Sequence, residues 1–308
     1  MVVSTQNMEC NIGKISFRNP SMLASGILGE TAESMYRAYR DGAGAVVTKS
    51  IGLEARIGYR NPTVYITEEG MVNAMGLPNP GIRNYADVIR SLVSKGVTVI
   101  GSVFGASGDE FSKLASEMEE AGTAAVELNL SCPHAKGVGS EIGSTPEDVS
   151  EIVHSVRDAV DIPVWAKLTP NVADIADLAE AAESSGADAI VCINTVKAMA
   201  ISAKLRMPVL SNKYGGLSGR AIKTIGLRCV YEVYERCSIP VVGVGGIYTG
   251  LDAAEYMMAG ACAFQIGTAV AEFGSGIFGR VISELADFME RENLKNIKEM
   301  IGIAHRNP

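Results

Sequence analysis

Apolar residues along this chain arrive in short blocks, several of them introduced by the same glycine-led phrase. It reads Gly42-Ala-Gly-Ala-Val-Val, Gly122-Thr-Ala-Ala-Val-Glu-Leu, Gly186-Ala-Asp-Ala-Ile-Val and Gly260-Ala-Cys-Ala-Phe-Gln-Ile. Each phrase ends a helical pattern at Gly, which caps a helix without steric cost. A short apolar run follows, as in strands buried on both faces. A second kind of entry is Asp161-Ile-Pro-Val-Trp, Ser238-Ile-Pro-Val-Val and Lys95-Gly-Val-Thr-Val-Ile. These blocks predict strands near 21–25, 44–50, 97–103, 124–131, 163–169, 188–194, 240–245 and 263–267. Amphipathic patterns predict helices near 32–41, 84–95, 108–121, 146–159, 173–185, 219–237, 250–259 and 277–291. Ser107-Gly-Asp-Glu and Thr145-Pro-Glu-Asp are plausible helix starts.

This alternation predicts an α/β fold, a (β/α)8 TIM barrel forming a single domain over residues 1–308. Counting alone leaves a doubly wound open sheet as the alternative. Three connections, 51–83, 132–145 and 195–218, are too long to be simple links. All three follow strand C-terminal ends, where barrels build their sites, so they are expected to wall and cover one pocket.

Composition narrows the class. The 308 residues carry a formal charge of −8 and are 47% hydrophobic, which argues against nucleic acid as a partner. Apolar runs fall short of a membrane span, and the polar start does not resemble a signal peptide, so a cytoplasmic protein is expected. The six cysteines form no C-x-x-C pair, so neither a disulfide framework nor a metal site is expected.

The candidate chemistry sits at strand ends. Gly243-Val-Gly-Gly-Ile and Gln265-Ile-Gly-Thr place glycines after strands 7 and 8, where barrels commonly bind phosphate. Tight turns alone would also use these glycines. Lys49 and Lys167 close apolar strands, where an ammonium calls for an anion or an electron-rich ring such as flavin. Asn73, Asn129 and Asn194 offer both donors and acceptors, suiting a heterocycle edged with N–H and C=O groups. Cys132, just past strand 4, is the candidate base, and His134 a candidate assistant. The other cysteines read as small core residues.

With these residues in place, the chain resembles the class 1 dihydroorotate dehydrogenases over essentially its whole length. The segments that carry the resemblance are Leu23-Ala-Ser-Gly, Thr48-Lys-Ser, Asn73-Ala-Met-Gly-Leu-Pro-Asn-Pro-Gly, Asn129-Leu-Ser-Cys-Pro and Ala166-Lys-Leu-Thr-Pro-Asn. Asn194-Thr, Gly215-Gly-Leu-Ser-Gly, Gly243-Val-Gly-Gly-Ile and Ile266-Gly-Thr complete the set. The run from Gly215 to Lys223 and the segment from Leu227 most resemble class 1B.

The resemblance implies FMN-dependent oxidation of dihydroorotate to orotate in pyrimidine biosynthesis. Cys132 would remove the C5 proton while hydride leaves C6 for the flavin. Substrate would be held by Lys49, Asn73, Ala74, Met75, Gly76, Leu77, Asn129, Asn194 and Thr195. FMN would be held by Ser25, Lys49, Ser50, Asn129, Lys167, Ile193, Gly219, Gly245, Gly246, Gly267 and Thr268. It also implies a homodimeric core and a partner subunit with FAD and a [2Fe–2S] cluster that passes electrons to NAD. Two positions depart from the family pattern: His134 replaces the usual Asn, and Ser102 stands where many class 1B members place Asn against FMN. A dihydropyrimidine dehydrogenase-like reaction on uracil or thymine, or a non-catalytic barrel binding a phosphorylated ligand, remain as alternatives.

Overall fold

Each glycine-led block becomes a strand of a closed barrel. The computed structural model describes residues 8–131 and 142–306. Its barrel strands are β1 (Ser21–Leu23), β2 (Ala45–Val47), β3 (Val99–Val103), β4 (Ala125–Asn129), β5 (Val164–Lys167), β6 (Ala189–Cys192), β7 (Val241–Val244) and β8 (Ala261–Ile266). They pair in chain order, all parallel, and β8 closes on β1. The expected (β/α)8 barrel is therefore present, and closure excludes the open doubly wound sheet.

Around it lie α1 (Ala32–Arg40), α2 (Ile82–Val93), α3 (Gly108–Glu120), α4 (Pro146–Arg157), α5 (Ile175–Ser184), α6 (Lys223–Arg236), α7 (Gly250–Met258) and α8 (Ile277–Arg291). The two helix starts read from sequence are real caps: Ser107 accepts from the Glu110 N–H and Thr145 from the Asp148 N–H. All four leading glycines, Gly42, Gly122, Gly186 and Gly260, have φ between +96° and +126°. Side chains rarely adopt that conformation, and at Gly260 a Cβ would also strike the Tyr234 ring. The repeated phrase is thus a backbone requirement at four helix-to-strand turns. The helices bury one face each, as with Ala32, Met35 and Ala38 of α1, while most barrel-strand side chains are buried.

Several predicted boundaries shift. β1 and β2 are shorter than expected, although the Thr48 and Ile51 N–H groups still donate to β3 carbonyls. The region predicted as one helix over 219–237 opens with a 3-10 turn, Arg220–Ile222, before α6. A hairpin, Cys10–Ile12 with Ile15–Phe17, and a short helix, Thr268–Phe273, were not predicted.

The connections 51–83 and 195–218 are more ordered than loops. Val196–Met199, Tyr214–Ser218, Gly70–Asn73 and Val64–Thr67 form one antiparallel sheet in that order. Gly216 makes it possible, since a Cβ there would lie 2.0 Å from Thr195 Oγ1. Most of the third connection, residues 132–141, lies outside the described residues.

One carboxylate fixes the turn leaving β7. Asp252 accepts hydrogen bonds from the Tyr248 and Thr249 N–H groups at 2.9 Å each, and its other oxygen takes Lys223 Nζ at 2.6 Å. With Thr249 it completes a capping box on α7. Burial alone would raise its pKa, but the Lys223 hydrogen bond, those of the backbone and the lysine charge together hold it below the ordinary aspartate value. A depressed carboxylate contributes stability above the unfolded pKa and loses it as pH falls through the folded value. Asp252→Asn is expected to cost about 1.5–3 kcal/mol at pH 7, the range for hydrogen bonds to a charged group. The gap from the parent should narrow below pH ~4, where the unfolded chain's aspartate protonates first and the folded one follows at lower pH. Urea unfolding of both proteins across that range checks it; a gap independent of pH would contradict the ionic role.

Candidate active site

The C-terminal ends of the strands open into a cavity of about 670 Å³. All the described residues assigned to substrate or cofactor from sequence line it. Ser25 follows β1, Lys49 and Ser50 follow β2, Asn129 ends β4 and Lys167 ends β5. Ile193, Asn194 and Thr195 follow β6, Gly245 and Gly246 follow β7, and Gly267 and Thr268 follow β8. The segment Asn73 to Leu77 and Gly219 enter from the antiparallel sheet, which forms one wall. Cys132 and His134 lie outside the described residues.

Two runs of hydrogen bonds fix the polar groups. In the first, Asn194 Nδ2 donates to Asn129 Oδ1 at 3.0 Å, and Asn129 Nδ2 to Ser50 Oγ at 3.1 Å. Ser50 Oγ in turn contacts Ser25 Oγ at 3.2 Å and Ser102 Oγ at 2.9 Å. Each Asn amide carries two donor hydrogens, so both keep hydrogen-bonding capacity for a ligand. Ser102, the departure noted in the sequence, is fully buried against Ser50 and does not line the cavity. A serine there shortens the reach that an Asn would have, and it serves as a strut.

In the second run, Lys167 Nζ donates to Glu127 Oε1 at 3.3 Å and to Gln265 Oε1 at 3.1 Å. Gln265 Nε2 donates to Glu127 Oε2 at 2.6 Å. Sequence reading gave Lys167 no partner, because Glu127 and Gln265 sit on β4 and β8 within apolar runs. Lys49 also differs from expectation, as its ammonium is held by Glu30 Oε1 at 2.5 Å. Asn171 was missed as a wall residue; it donates to the Thr195 carbonyl and accepts from the Lys197 N–H, tying the β5 exit to the β6 exit. Its only sequence signal was the polar step Thr169-Pro-Asn after β5.

The turn after β7 supplies bare backbone. Gly246 has φ +68°, and a Cβ would lie 2.8 Å from Lys223 Cβ and 2.9 Å from the Gly219 carbonyl. Nothing larger than glycine fits, which keeps the main chain open to an approaching anion. The charged residues lining the cavity are Lys49, Lys167 and Lys197, with no carboxylate among the described ones. Two of these three, Lys49 and Lys167, are paired with Glu30 and Glu127, so their charge is partly offset before any ligand enters. A cavity of this volume, lined by an anion-friendly glycine turn and by fixed amides, has the groups to take a phosphorylated cofactor and a small heterocycle.

A family model described as dihydroorotate dehydrogenase matches residues 7–289. The chain belongs to the dihydroorotate dehydrogenase family. It is 49% identical over 299 residues to the catalytic subunit of dihydroorotate dehydrogenase B (NAD(+)) from Methanocella arvoryzae, covering 97% of this chain and 98% of that one. The corresponding subunit of Thermoplasma acidophilum is 50% identical over 300 residues, covering 97% and 99%. That of Methanocaldococcus jannaschii is 48% identical over 302 residues, covering 97% and 98%. The class 1B resemblance seen in the sequence agrees with these relatives.

In a member of this family, the state of each thiol matters. Burial raises Cys10, Cys237 and Cys262 to about 12 and Cys229 to about 11, and it lifts Cys192 well above the ordinary value. None of these five is a thiolate near neutrality, which fits their reading as core residues. Treating the native protein with iodoacetamide near pH 8, then mapping peptides by mass spectrometry, should leave all five unmodified until the protein is unfolded. Native labelling of any of them at the rate of a free thiol, with pKa about 8.5, would contradict the burial argument.

Proposed function

We propose that this chain is the catalytic subunit of an NAD-linked dihydroorotate dehydrogenase, holding FMN and oxidising dihydroorotate to orotate in pyrimidine biosynthesis. The observation that carries this reading is the convergence of amides, lysines and glycine turns on one cavity, in a chain about half identical to subunits of that name. FMN, when bound, supplies the hydride acceptor. The glycine turns at Gly245, Gly246 and Gly267, with Gly219 and Thr268, fit its phosphate. Ser25, Ser50, Lys167 and Ile193 line the adjoining stretch, where a flat ring system fits beside the strand ends.

Substrate is proposed to lie against Asn73 to Leu77, Asn129, Asn194 and Thr195, with Lys49 facing its carboxylate. In the described structure Lys49 pairs with the Glu30 carboxylate, so a substrate carboxylate would share or replace that partner. Cys132 is proposed as the base. It takes the proton from C5, hydride departs from C6, and the C5–C6 bond becomes double. The raised pKa values of the five described thiols support assigning this role to the sixth cysteine.

The relatives' name, a catalytic subunit of an NAD(+) enzyme, supports a second subunit that carries electrons onward. We propose FAD and a [2Fe–2S] cluster on that subunit, and a homodimer of this single-domain chain at the core. The wall sheet and the hairpin beside it expose Ile66, Ile201, Leu205, Met207 and Tyr214, apolar surface of the kind that partners cover. Among the described residues no helix is long and apolar enough to cross a membrane. A cytoplasmic location is proposed on that basis and on the acidic composition.

Cys132→Ser tests the assignment. Removing a general base costs about two to four powers of ten. Flavin reduction by dihydroorotate, followed by stopped-flow absorbance, should slow by roughly that factor at pH 7 and recover in part at higher pH. FMN content should not change. Reduction at the parental rate across the neutral range would remove Cys132 from the mechanism.

A further inference from the structure

Glu127 is completely buried, on β4, two residues before Asn129. A carboxylate there is not needed to build a barrel, since β4 is otherwise closed by Val126 and Leu128 and an apolar side chain would avoid the desolvation cost. Each of its oxygens has a partner: one takes Lys167 Nζ at 3.3 Å and the other takes Gln265 Nε2 at 2.6 Å. Gln265 Oε1 also accepts from Lys167 Nζ at 3.1 Å, so β4, β5 and β8 each contribute one corner of a closed ring of hydrogen bonds. Lys167 and Gln265 line the cavity, whereas Glu127 does not. Two of the ammonium's three hydrogens are directed to these partners, leaving the third for a ligand.

Glu127 therefore acts on the cavity only through its neighbours, and in two ways. It pins a flexible four-carbon side chain in one position, and its negative charge offsets the positive one. A lone buried ammonium would favour an anion over a neutral ligand strongly, because charge interactions are little screened there. Paired with Glu127, the same ammonium is a hydrogen-bond donor with much of its net charge cancelled. Reduced flavin carries negative charge near its N1 and O2 atoms, while the oxidised ring is neutral.

We propose that Glu127 is a positioning residue that fixes Lys167 against the flavin ring and, by offsetting its charge, restrains the site's preference for reduced over oxidised cofactor. This inference rests on the FMN reading above. Restraint of this kind suits a subunit that must pass its electrons on, since a site that overstabilises the reduced state holds them.

The test is the two-electron midpoint potential of the FMN-loaded protein, measured by anaerobic titration against reference dyes. Glu127→Gln keeps the shape and removes the charge. It should raise the preference for reduced flavin at least tenfold, which is about 30 mV for a two-electron couple. Glu127→Leu also removes the charge, without a polar group left to satisfy, and should raise the preference for reduced flavin likewise. That variant carries the test if Glu127→Gln does not fold. A purely structural role would lower the melting temperature of Glu127→Gln and leave the potential at the parental value, and this outcome overturns the proposal. So does a Glu127→Leu potential that stays put or falls. A parent protein that binds no FMN would take down the cofactor reading and this inference together; a flavin-loaded parent whose variants show no shift overturns this inference alone.

Discussion

An ammonium buried at the end of a closed barrel cannot stand alone. Barrel closure gives all eight strands two hydrogen-bonded neighbours and encloses their inward side chains, so a polar group placed inside must find its partners there. Lys167 finds Glu127 and Gln265, from strands on either side of the barrel axis. The asparagine and serine chain from Asn194 through Asn129 and Ser50 to Ser25 answers the same demand with neutral groups. These contacts tie β1, β2, β4, β5, β6 and β8 together at their C-terminal ends. They fix the floor of the cavity before any ligand enters, which is the preorganisation that binding and hydride chemistry both need.

The walls come from a different source. Parallel strands end in turns too short to enclose a cofactor, and the depth is supplied by the insertions after β2 and β6. Their four strands pair with each other although they are far apart in sequence, as Gly216 and Asn73 show. The close approach of Thr195 to Gly216 ties this sheet to the exit of β6. One side of the proposed substrate position is therefore barrel and the other is sheet.

Much of this was legible from sequence because barrel architecture repeats. The phrases led by Gly42, Gly122, Gly186 and Gly260 marked four helix-to-strand turns, since each needs a positive φ. Polar residues closing apolar runs, such as Lys49, Asn129 and Lys167, marked the mouth. What escaped was whatever depended on contacts distant in sequence. Glu127 and Gln265 are single polar residues inside apolar runs, and only the closed barrel brings them to Lys167. The wall strands are short, partly exposed and rich in glycine, so they carry no strong periodic signal. Glu30 holds Lys49 across 19 residues with no pattern linking them. Ser102 holds a position where the family pattern departs, and only the fold shows it fully buried and bonded to Ser50.

Family membership and cavity chemistry meet on one point, the identity of the reducing substrate. Dihydroorotate bears a carboxylate that dihydrouracil lacks, and the cavity is lined by three lysines and no described acid. The most direct measurement is anaerobic addition of each compound to the purified protein while the flavin's visible absorbance is followed. Dihydroorotate should bleach the flavin with stoichiometric formation of orotate, and dihydrouracil should leave the spectrum unchanged. A colourless protein, or one bleached by dihydrouracil and not by dihydroorotate, would contradict its assignment as a flavin-dependent dihydroorotate dehydrogenase.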